Sequence, residues 1–451
     1  MSVTSQAPVT AVIEDALQRY RAGLGAAATL VAAQRPEPPP VPFELPDPSP
    51  EFTRFGSVAQ LGLTTIAERT HLLDLTRNPG TRTTKTLASL FMVARAVSHI
   101  RRTGHRLLLL TPTSGNKGTA LRDAVARAYA SGLATPDELR IVVIAPEASR
   151  AKLRGGPLSD DPDTDAANPV GLATVDRPAD VKELAAGAAA SSTGRLAAET
   201  GFHLWYTLDL DNYRIADASR AFVEAELMPI TTDSPPRLHA HAVSSAYGLL
   251  GYHLGHRVLA ETTDTGLPRP ARHPGLFLIQ QLATPDMVLS LLRIEHPPYT
   301  RRADGRWTQE STAAFPAVTD DPHEVLDATF YTRKPVTSAQ LDPLVAQHGG
   351  GGIVVSRHEC LEHFDQVRAL AATGGIDITR DPAQIREWSL VKALTGILVA
   401  RERRLIDRNV DVVVHASGYY TDDLLPPLPT TRTHPVRTVD DVTGLLFAAA
   451  R

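Results

Sequence analysis

The sequence predicts an α/β protein built from two open sheets, because apolar strand segments alternate with segments of helical periodicity along most of the chain. Residues 107–110 and 412–414 are uninterrupted apolar runs, and residues 138–145 are mostly apolar, as is typical of strands buried on both faces of a parallel sheet. Polar turns rich in serine, glycine and asparagine follow several of these strands. Ligands of open α/β sheets bind at the carboxyl ends of the strands, so these turns are the candidate binding residues.

The composition indicates a globular chain of 451 residues, whose 43% hydrophobic content suffices for two or more core units. A formal net charge of −4 argues against a partner such as nucleic acid or an anionic membrane surface. No segment approaches the ~18 consecutive apolar residues of a membrane span. The single cysteine, Cys360, excludes an intrachain disulfide and a cysteine-built metal site, and we expect a cytoplasmic protein.

The chain begins with a segment that is set apart by its composition. Residues 9–34 are alanine-rich and have helical periodicity, which predicts a helix. Residues 34–50 are rich in proline and predict an extended segment, because proline is excluded from helix interiors. The sequence leaves open whether this segment docks on a partner subunit or forms a mobile tail.

A lysine and a polar turn stand at a suggestive spacing in the next part of the chain. Lys85 precedes a helical pattern over residues 87–100, and a buried strand follows at 107–110. The turn Thr113–Gly118 ends that strand, with Ser114 standing 29 residues after Lys85. This order predicts a βαβ-type unit whose two turns face each other at one end of a sheet.

The chemistry of this pair fits a carbonyl cofactor beside an anionic ligand. Lysine is the usual amine that forms an imine with such a cofactor. A Ser-Gly-Asn turn at a helix N-terminus offers N–H groups and the positive helix end to a carboxylate or phosphate. A solvated surface lysine and a plain loop are the alternatives, but the spacing favours the functional interpretation.

The remaining elements are predicted in order from their periodicity. Strands are expected at 138–145, 171–175, 204–208, 238–243, 275–279, 353–355 and 412–414. Helices are expected to start near residue 152, at 180–190, beyond 214, through 250–258, and at 338–347, 359–372 and 385–402. The proline-broken residues 293–337 are interpreted as an insertion.

The histidines were considered as metal ligands. His239 and His241 alternate on a predicted strand, and His253 and His256 are spaced i, i+3 on the following helix. No carboxylate completes a metal set at a recognisable spacing, so we expect structural or cavity-lining roles and no metal site.

Six segments occur in an order that matches a known family. They are residues 78–85, 113–118, 145–152, 211–214, 244–248 together with Gly251, and 416–418. Taken together, they resemble the motifs of the fold-type II pyridoxal-phosphate enzymes, the group of threonine synthase, cysteine synthase and the tryptophan synthase β chain. The resemblance is greatest to threonine synthase and covers residues 60–425.

The resemblance implies pyridoxal 5'-phosphate as cofactor and assigns roles to residues. Lys85 is implied as the catalytic residue that carries the cofactor. The other implied cofactor contacts are Asn116, Ser244, Ser245, Ala246, Tyr247, Gly248 and, opposite the pyridine nitrogen, Ser417. The implied substrate contacts are Thr113, Ser114, Gly115, Asn116, Lys117 and Gly118.

Several positions depart from the family pattern. One extra residue separates Asn78 from Lys85, and Thr84 replaces the usual aromatic residue before the lysine. The phosphate turn, Ser-Ser-Ala-Tyr-Gly, has lost glycines, although serine hydroxyls also bond phosphate. Residues 357–359, Arg-His-Glu, stand where the family has proline and small residues, and contact of one of them with substrate is left open.

The predicted function is elimination or replacement at Cβ or Cγ of an amino acid, in specialised amino-acid biosynthesis. The alternative is a non-catalytic relative that acts as a binding or scaffold protein. Residues 52–85 and 215–451 are predicted to form a large cofactor-binding domain and residues 86–214 a small substrate-binding domain. Residues 1–51 form the N-terminal helix and proline-rich extension, and the resemblance implies a homodimer.

Overall fold

A computed structural model describes residues 9–262, 264–326 and 335–451. Residues 1–8 of the predicted N-terminal extension (1–51) and residues 327–334 of the predicted insertion therefore lie outside the described residues. The described strands are, in chain order, β1 (Thr10–Ile13), β2 (Leu61–Ala67), β3 (Thr70–Asp74), β4 (Arg106–Pro112), β5 (Leu139–Pro146), β6 (Val170–Ala173), β7 (Phe202–Tyr206), β8 (Arg237–Ala242), β9 (Gly275–Gln281), β10 (Thr300–Arg301), β11 (Trp307–Thr308), β12 (Val318–Thr319), β13 (Gly350–Val355), β14 (Ile385–Glu387), β15 (Asp411–Ala416), β16 (Tyr420–Thr421) and β17 (His434–Val436).

The helices connect and cover these strands. They are α1 (Ala16–Arg19), α2 (Arg21–Ala32), α3 (Pro50–Gly56), α4 (Lys85–Thr103), α5 (Asn116–Ser131), α6 (Pro162–Ala167), α7 (Val181–Thr200), α8 (Asp211–Asp217), α9 (Ser219–Leu227), α10 (Tyr247–Glu261), α11 (Asp286–Leu292), α12 (Ser338–His348), α13 (Arg357–Glu362), α14 (Phe364–Thr373), α15 (Ser389–Glu402) and α16 (Val439–Ala449). None of the helices in the described ranges is long and apolar enough to cross a membrane.

The strands form two main sheets, which confirms the predicted fold class. A seven-stranded sheet has the order β1-β2-β3-β15-β8-β9-β13, and a five-stranded sheet has the order β17-β6-β5-β4-β7. The five-stranded sheet and the part of the larger one from β3 to β13 are parallel. Their central strands are apolar and fully buried, as β5 shows, because helices cover both faces of each sheet.

α4 links the two sheets, and this corrects the predicted βαβ-type unit. The strand before α4, β3, belongs to the seven-stranded sheet, whereas the strand after it, β4, belongs to the five-stranded sheet. α4 packs against α5 and α8 and is buried on most of its faces. It ends where Gly104 takes a left-handed conformation, with φ 71°, that favours glycine. The helix thus spans the junction of the sheets instead of covering one of them.

The N-terminal segment differs in part from its predicted helix. Thr10–Ile13 form a strand that pairs antiparallel with β2, so helical structure begins only at Ala16. Pairing with the exposed edge of β2 outweighs the weak helical preference of this short β-branched run. The proline-rich residues 33–49 contain no helix or strand and lie on the same chain, where buried Arg95 donates to the carbonyl oxygens of Val41 and Pro42.

The division into domains stays a prediction. The C-terminal residues 434–449 were assigned to the large domain in that prediction, but they lie with the five-stranded sheet. β17 pairs with β6 and α16 packs against α7, so both extend the five-stranded sheet of the smaller predicted domain. Sequence distance hides this pairing, because β6 lies more than 250 residues before β17.

Four predicted helices also differ from those observed. The helix expected at 385–402 begins only at Ser389, because Ile385–Glu387 form β14, which pairs with β16. A 3-10 helix, Glu147–Lys152, ends where a helix was expected to start. The helix expected beyond residue 214 is divided at Ala218 into α8 and α9, and the helix expected at 359–372 is divided at His363 into α13 and α14. Within residues 293–337, the described part contains the small sheet β10-β11-β12.

Candidate active site

A cavity of about 380 Å³ lies between the two sheets, at the carboxyl ends of β4, β8 and β15. It brings together most of the residues singled out in the sequence: Lys85, Thr113, Ser114, Asn116, Lys117, Ser244, Ser245, Ala246, Tyr247, Gly248 and Ser417. Gly115 and Gly118 belong to the same turn but not to the lining. Gly115 has φ 116°, and a Cβ there would stand 2.5 Å from Cβ of Lys152, so the turn requires glycine.

Lys85 is the first residue of α4, and its amine faces the cavity. Its Nζ stands 4.8 Å from the centre of the Tyr213 ring and makes no hydrogen bond with any described residue. Burial lowers the pKa of Lys85 from its ordinary value, with Asp217 opposing and Arg220 reinforcing the shift. A larger fraction of this amine is therefore neutral, and nucleophilic, than in an exposed lysine.

The turn Thr113–Gly118 opens α5 at the cavity. Thr113 Oγ1 accepts hydrogen bonds from the backbone N–H groups of Gly115 (3.0 Å) and Gly118 (2.9 Å), which fixes the turn. The first N–H groups of a helix have no partner within the helix. The N-terminus of α5 therefore offers donors and a positive dipole end to an anion in the cavity.

Asn116 is held by residues from the far end of the chain. Its Nδ2 donates to Glu387 Oε2 at 2.6 Å, and its Oδ1 accepts from the hydroxyl of Tyr420 at 2.7 Å. Glu387 also forms a buried ion pair with Lys152 at 2.9 Å. The Asn116 amide is thus fixed in orientation, and one of its two N–H groups is already bonded to Glu387.

Lys117 adds a second amine to the cavity. Its Nζ donates to the backbone carbonyl of Thr207 at 3.0 Å. Burial, reinforced by the nearby charge of Lys85, lowers the pKa of Lys117 to about 7. Its charge therefore changes near neutral pH, where an ordinary lysine is fully protonated.

The turn Ser244–Gly248 leads from β8 into the 15-residue helix α10. Ala246 has a left-handed backbone with φ 52°, which turns the chain into the helix at Tyr247. A Cβ on Gly248 would stand 2.5 Å from the Arg220 guanidinium, so glycine is required for this close approach. A helix N-terminus and an arginine thus meet at one side of the cavity.

Ser417 follows β15, the parallel neighbour of β8, and also lines the cavity. Its backbone carbonyl accepts from the N–H of Thr84 at 2.8 Å, which ties the end of β15 to the start of α4. Its hydroxyl is buried and has no hydrogen-bond partner among the described residues. A buried hydroxyl without a partner is costly, so a ligand in the cavity would be stabilised by contact with it.

Arg220 lines the cavity, and the sequence analysis did not identify it. Its side chain is 1% exposed and donates to Asp217 at 2.9 Å and to Thr84 Oγ1 at 2.7 Å. It also donates to Nδ1 of His415, and it lies within 3.5 Å of Nδ1 of His241. The cation is therefore fixed against the cavity by partners on three elements.

A buried polar network continues from this arginine into the core. His239 joins His415 to Glu224, whose carboxylate also accepts from Arg237 at 2.8 Å and from the Tyr252 hydroxyl. Burial opposes ionisation of Glu224, but His239 and Arg237 hold the pKa of this carboxyl well below its ordinary value. His239 is thus a structural residue and His241 a cavity-lining residue, as expected from the sequence.

Residues 357–359 lie elsewhere. Glu359 forms a capping box with Ser356 at the start of α13 and an ion pair with Arg403, while the backbone N–H of Arg357 donates to Glu324. Within the described part of the chain, none of residues 357–359 belongs to the cavity lining. Contact with a ligand in this cavity is therefore not supported for them.

The whole chain matches one family of sequences. The model of a family of unknown function, DUF6002, aligns with residues 12–450. The chain belongs to this family. No curated protein sequence matches this DUF6002 chain.

Solved structures share the architecture of the DUF6002 chain. The pyridoxal-phosphate-bound threonine synthase of Brucella melitensis is similar at a TM-score of 0.52 and 14% identity, over 96% of this chain and 91% of that chain. Threonine synthase from Escherichia coli is 14% identical at a TM-score of 0.49, over 85% of this chain and 78% of that chain. Diaminopropionate ammonia lyase from Escherichia coli is 12% identical at a TM-score of 0.45, over 94% and 96%. The Brucella match shows the fold, which is that of the fold-type II pyridoxal-phosphate enzymes.

Asp217, Arg220 and Glu387 are three cavity residues of this DUF6002 protein that escaped the sequence analysis, for two different reasons. Asp217 and Arg220 are charged positions in the mostly apolar helical segment 215–225, and that signal was present in the sequence. Glu387 gave no such signal, because it reaches Asn116 across 271 residues of chain. Long-range contacts of this kind are visible only in the folded structure.

Proposed function

We propose that this DUF6002 protein is a pyridoxal-phosphate-dependent enzyme that catalyses elimination or replacement at Cβ or Cγ of an amino acid. The observation that carries the proposal is the Lys85 amine, which has a lowered pKa and no hydrogen-bond partner among the described residues. It faces a cavity whose other sides offer an anion-binding turn and a buried hydroxyl. A structural lysine would be expected to have a partner.

The residues of the cavity fit the parts of this cofactor. Lys85 would hold its aldehyde carbon covalently, and the α10 N-terminus with Ser244, Ser245 and Gly248 would hold its phosphate. The buried Ser417 hydroxyl would gain its missing partner from the ring nitrogen. Asn116 fits less directly, because Glu387 already accepts from its Nδ2 and the remaining amide proton is the one left for a ligand.

Bound in this way, the cofactor supplies an electron sink that acidifies the α-proton of an amino acid. Lys85 Nζ would accept that proton, because a buried amine of lowered pKa is neutral often enough to act as a base. The α5 N-terminus and Lys117 would hold the substrate carboxylate, with Thr113, Ser114 and Gly115 shaping the turn. Ser417 is neutral and cannot keep a proton on the ring nitrogen, which favours loss of a β- or γ-substituent over transamination.

The non-catalytic alternative predicts a different behaviour of the same cavity. A scaffold protein would have no need for a buried amine without a hydrogen-bond partner. The non-catalytic alternative would, however, explain why the turn at 244–248 has lost glycines of the family's phosphate turn. A homodimer, a cytoplasmic location and a role in specialised amino-acid biosynthesis remain predictions from the sequence.

Titration with pyridoxal phosphate tests the proposal. We expect the purified chain to acquire visible absorbance, and borohydride reduction followed by peptide mapping to place the label on Lys85 among the six lysines of the chain. Lys85→Ala should keep the circular dichroism spectrum but lose the absorbance and the label. Label on another lysine, or a wild-type chain that stays colourless, would contradict the proposal and favour the non-catalytic alternative.

A further inference from the structure

Three histidine side chains lie close together near the amino-terminal ends of β9 and β13, at the end of the seven-stranded sheet opposite the cavity. His253 is on α10, His273 lies two residues before β9, and His348 is the last residue of α12. One ring nitrogen of each lies within 4.8 Å of those of the other two. β9 and β13 begin at this edge, whereas their parallel neighbours β8 and β15 end at the cavity. The cluster is therefore separate from the proposed active site.

We propose that His253, His273 and His348 bind a divalent transition-metal ion of the zinc class. Imidazole nitrogen is a ligand that Zn²⁺, Ni²⁺ and Cu²⁺ all accept. Three protein ligands leave a fourth position for water, as in open zinc sites. The ion would tie together α10, the residues before β9 and the end of α12. The sequence analysis expected no metal site, because no carboxylate completes a set with the histidines at a recognisable spacing, and it did not consider His273 and His348.

A backbone contact orients the central ligand. Nδ1 of His273 donates to the carbonyl oxygen of Pro274 at 2.8 Å, which leaves the lone pair on Nε2. Metal-binding histidines typically donate their other ring N–H to a carbonyl in this way. Nδ1 of His253 stands 2.7 Å from that Nε2 and donates to it. Metal binding through this nitrogen requires the proton of His253 to move to its Nε2, with no net change in protonation.

The distances require only small side-chain movements. Nitrogens bound tetrahedrally at about 2.0–2.1 Å from zinc stand roughly 3.3 Å apart. The observed separations lie on both sides of this value, at 2.7 Å for one pair and up to 4.8 Å in the group. The His273 and His348 rings already stack with centres 4.1 Å apart. All three side chains are half-buried, so side-chain rotations that move a ring nitrogen by about an ångström are accessible.

The surrounding charges do not prevent binding. The cations that act on His253 are Arg257 and Arg214, and each is paired with a carboxylate at 3.2 Å, on Glu261 and Asp211. His256 lies close, with its ring centre 4.7 Å from that of His273, but its Nε2 bonds to the hydroxyl of Tyr252 at 2.7 Å. We therefore leave His256 out of the ligand set.

Metal titration of the full chain, freed of any affinity tag and chelator-treated, tests this proposal. Calorimetry with Zn²⁺ should give one ion per chain, and Co²⁺ should give visible absorption bands of a nitrogen-bound ion. His253→Ala and His348→Ala should each weaken binding about tenfold or more. The matched control is His203→Ala, because His203 stacks on His105 with centres 4.0 Å apart but belongs to no three-ligand group among the described residues.

The control and a second readout keep the result decisive. Zn²⁺ should raise the melting temperature of the wild-type chain and of His203→Ala, but not of His253→Ala. His348→Gln replaces His348→Ala if the latter does not fold. No stoichiometric binding to the wild-type chain, or equal affinity in the His253 and His203 variants, would overturn the proposal. Binding of pyridoxal phosphate at Lys85 is independent of these outcomes.

Discussion

The Arg220 guanidinium donates a hydrogen bond to Nδ1 of His415 across 2.9 Å. Arginine has no acceptor, so the proton of His415 must be on Nε2. That nitrogen donates to Nδ1 of His239 at 2.8 Å, and Nε2 of His239 then donates to Glu224 at 3.0 Å. A hydrogen-bond chain of one fixed direction therefore runs from the cavity wall to a buried carboxylate.

Replacing Arg220 should show how much these hydrogen bonds contribute to the stability of the protein. Arg220→Met leaves the Asp217 carboxylate, 7% exposed, without its ion pair and leaves His415 without its donor. We expect the free energy of unfolding to fall by about 3–5 kcal/mol, measured by urea denaturation. The double variant Asp217→Leu/Arg220→Met removes the uncompensated charge and should be more stable than the single variant. Equal stability of Arg220→Met and the wild type would refute this.

The fold class was predictable because buried parallel strands are continuous apolar runs, as at residues 107–110 and 412–414. Two strands were not predictable in this way. β1 is short and forms by pairing with the edge of β2, and β17 pairs with a strand far along the chain. Their positions follow from tertiary contacts, which local periodicity does not contain.

The candidate site divides in the same manner. Lys85, the 113–118 turn and the 244–248 turn are local features at the ends of strands, and the structure places them around one cavity. Glu387 and Tyr420 enter by contact with Asn116, and neither is near it in the sequence. The strand-end rule identifies turns, but not the side chains that approach them from other elements.

Stability should fall as the pH falls, because histidines are buried in the neutral form. Burial lowers the pKa of His71 to about 4, whereas in the unfolded chain it is about 6.5. Between these values only the unfolded chain binds the proton, so unfolding becomes easier by about 1.4 kcal/mol per pH unit. Urea denaturation of His71→Gln should show a slope smaller by this amount over that range. An unchanged slope would contradict the assigned state of His71.

The turn before α10 should determine how firmly the cofactor is held. Ser244→Ala/Ser245→Ala removes two hydroxyls from the proposed phosphate site but keeps the helix N-terminus and Arg220. Hydrogen bonds to charged groups contribute roughly 1.5–3 kcal/mol each, so cofactor affinity should fall by about tenfold or more. Fluorescence titration with pyridoxal phosphate measures this, with Lys85 labelling as a check on covalent attachment. Unchanged cofactor affinity would show that the cofactor phosphate does not bind at these two hydroxyls.

Ser417→Ala should affect stability and cofactor binding in opposite directions. Without a ligand, the buried Ser417 hydroxyl has no partner among the described residues, and removing it should stabilise the chain by about 1 kcal/mol. With pyridoxal phosphate present, the same change removes a contact and should weaken cofactor retention. Thermal unfolding with and without cofactor separates the two effects. A purely structural serine would lower the melting temperature under both conditions.

The proposed reaction class rests on the groups that surround the proposed substrate position. In that proposal, Lys117 and the α5 N-terminus would supply positive charge for a carboxylate, and Lys85 would supply the base. The chain loaded with pyridoxal phosphate should release acetate from O-acetylserine, or phosphate from O-phosphoserine or O-phosphohomoserine, together with a keto acid or a substituted amino acid. Because Ser417 is neutral, transamination should be slow by comparison.

The matched variant for this prediction is Ser417→Asp, which places a carboxylate where a neutral hydroxyl stands. A carboxylate can keep a proton on the ring nitrogen, so transamination should rise and release of the leaving group should fall relative to the wild type. Chromatographic measurement of acetate, phosphate and keto acid from the same three amino acids gives both rates. If the wild type transaminates without releasing a leaving group from any of them, the proposed reaction class is wrong, whatever the cofactor affinity.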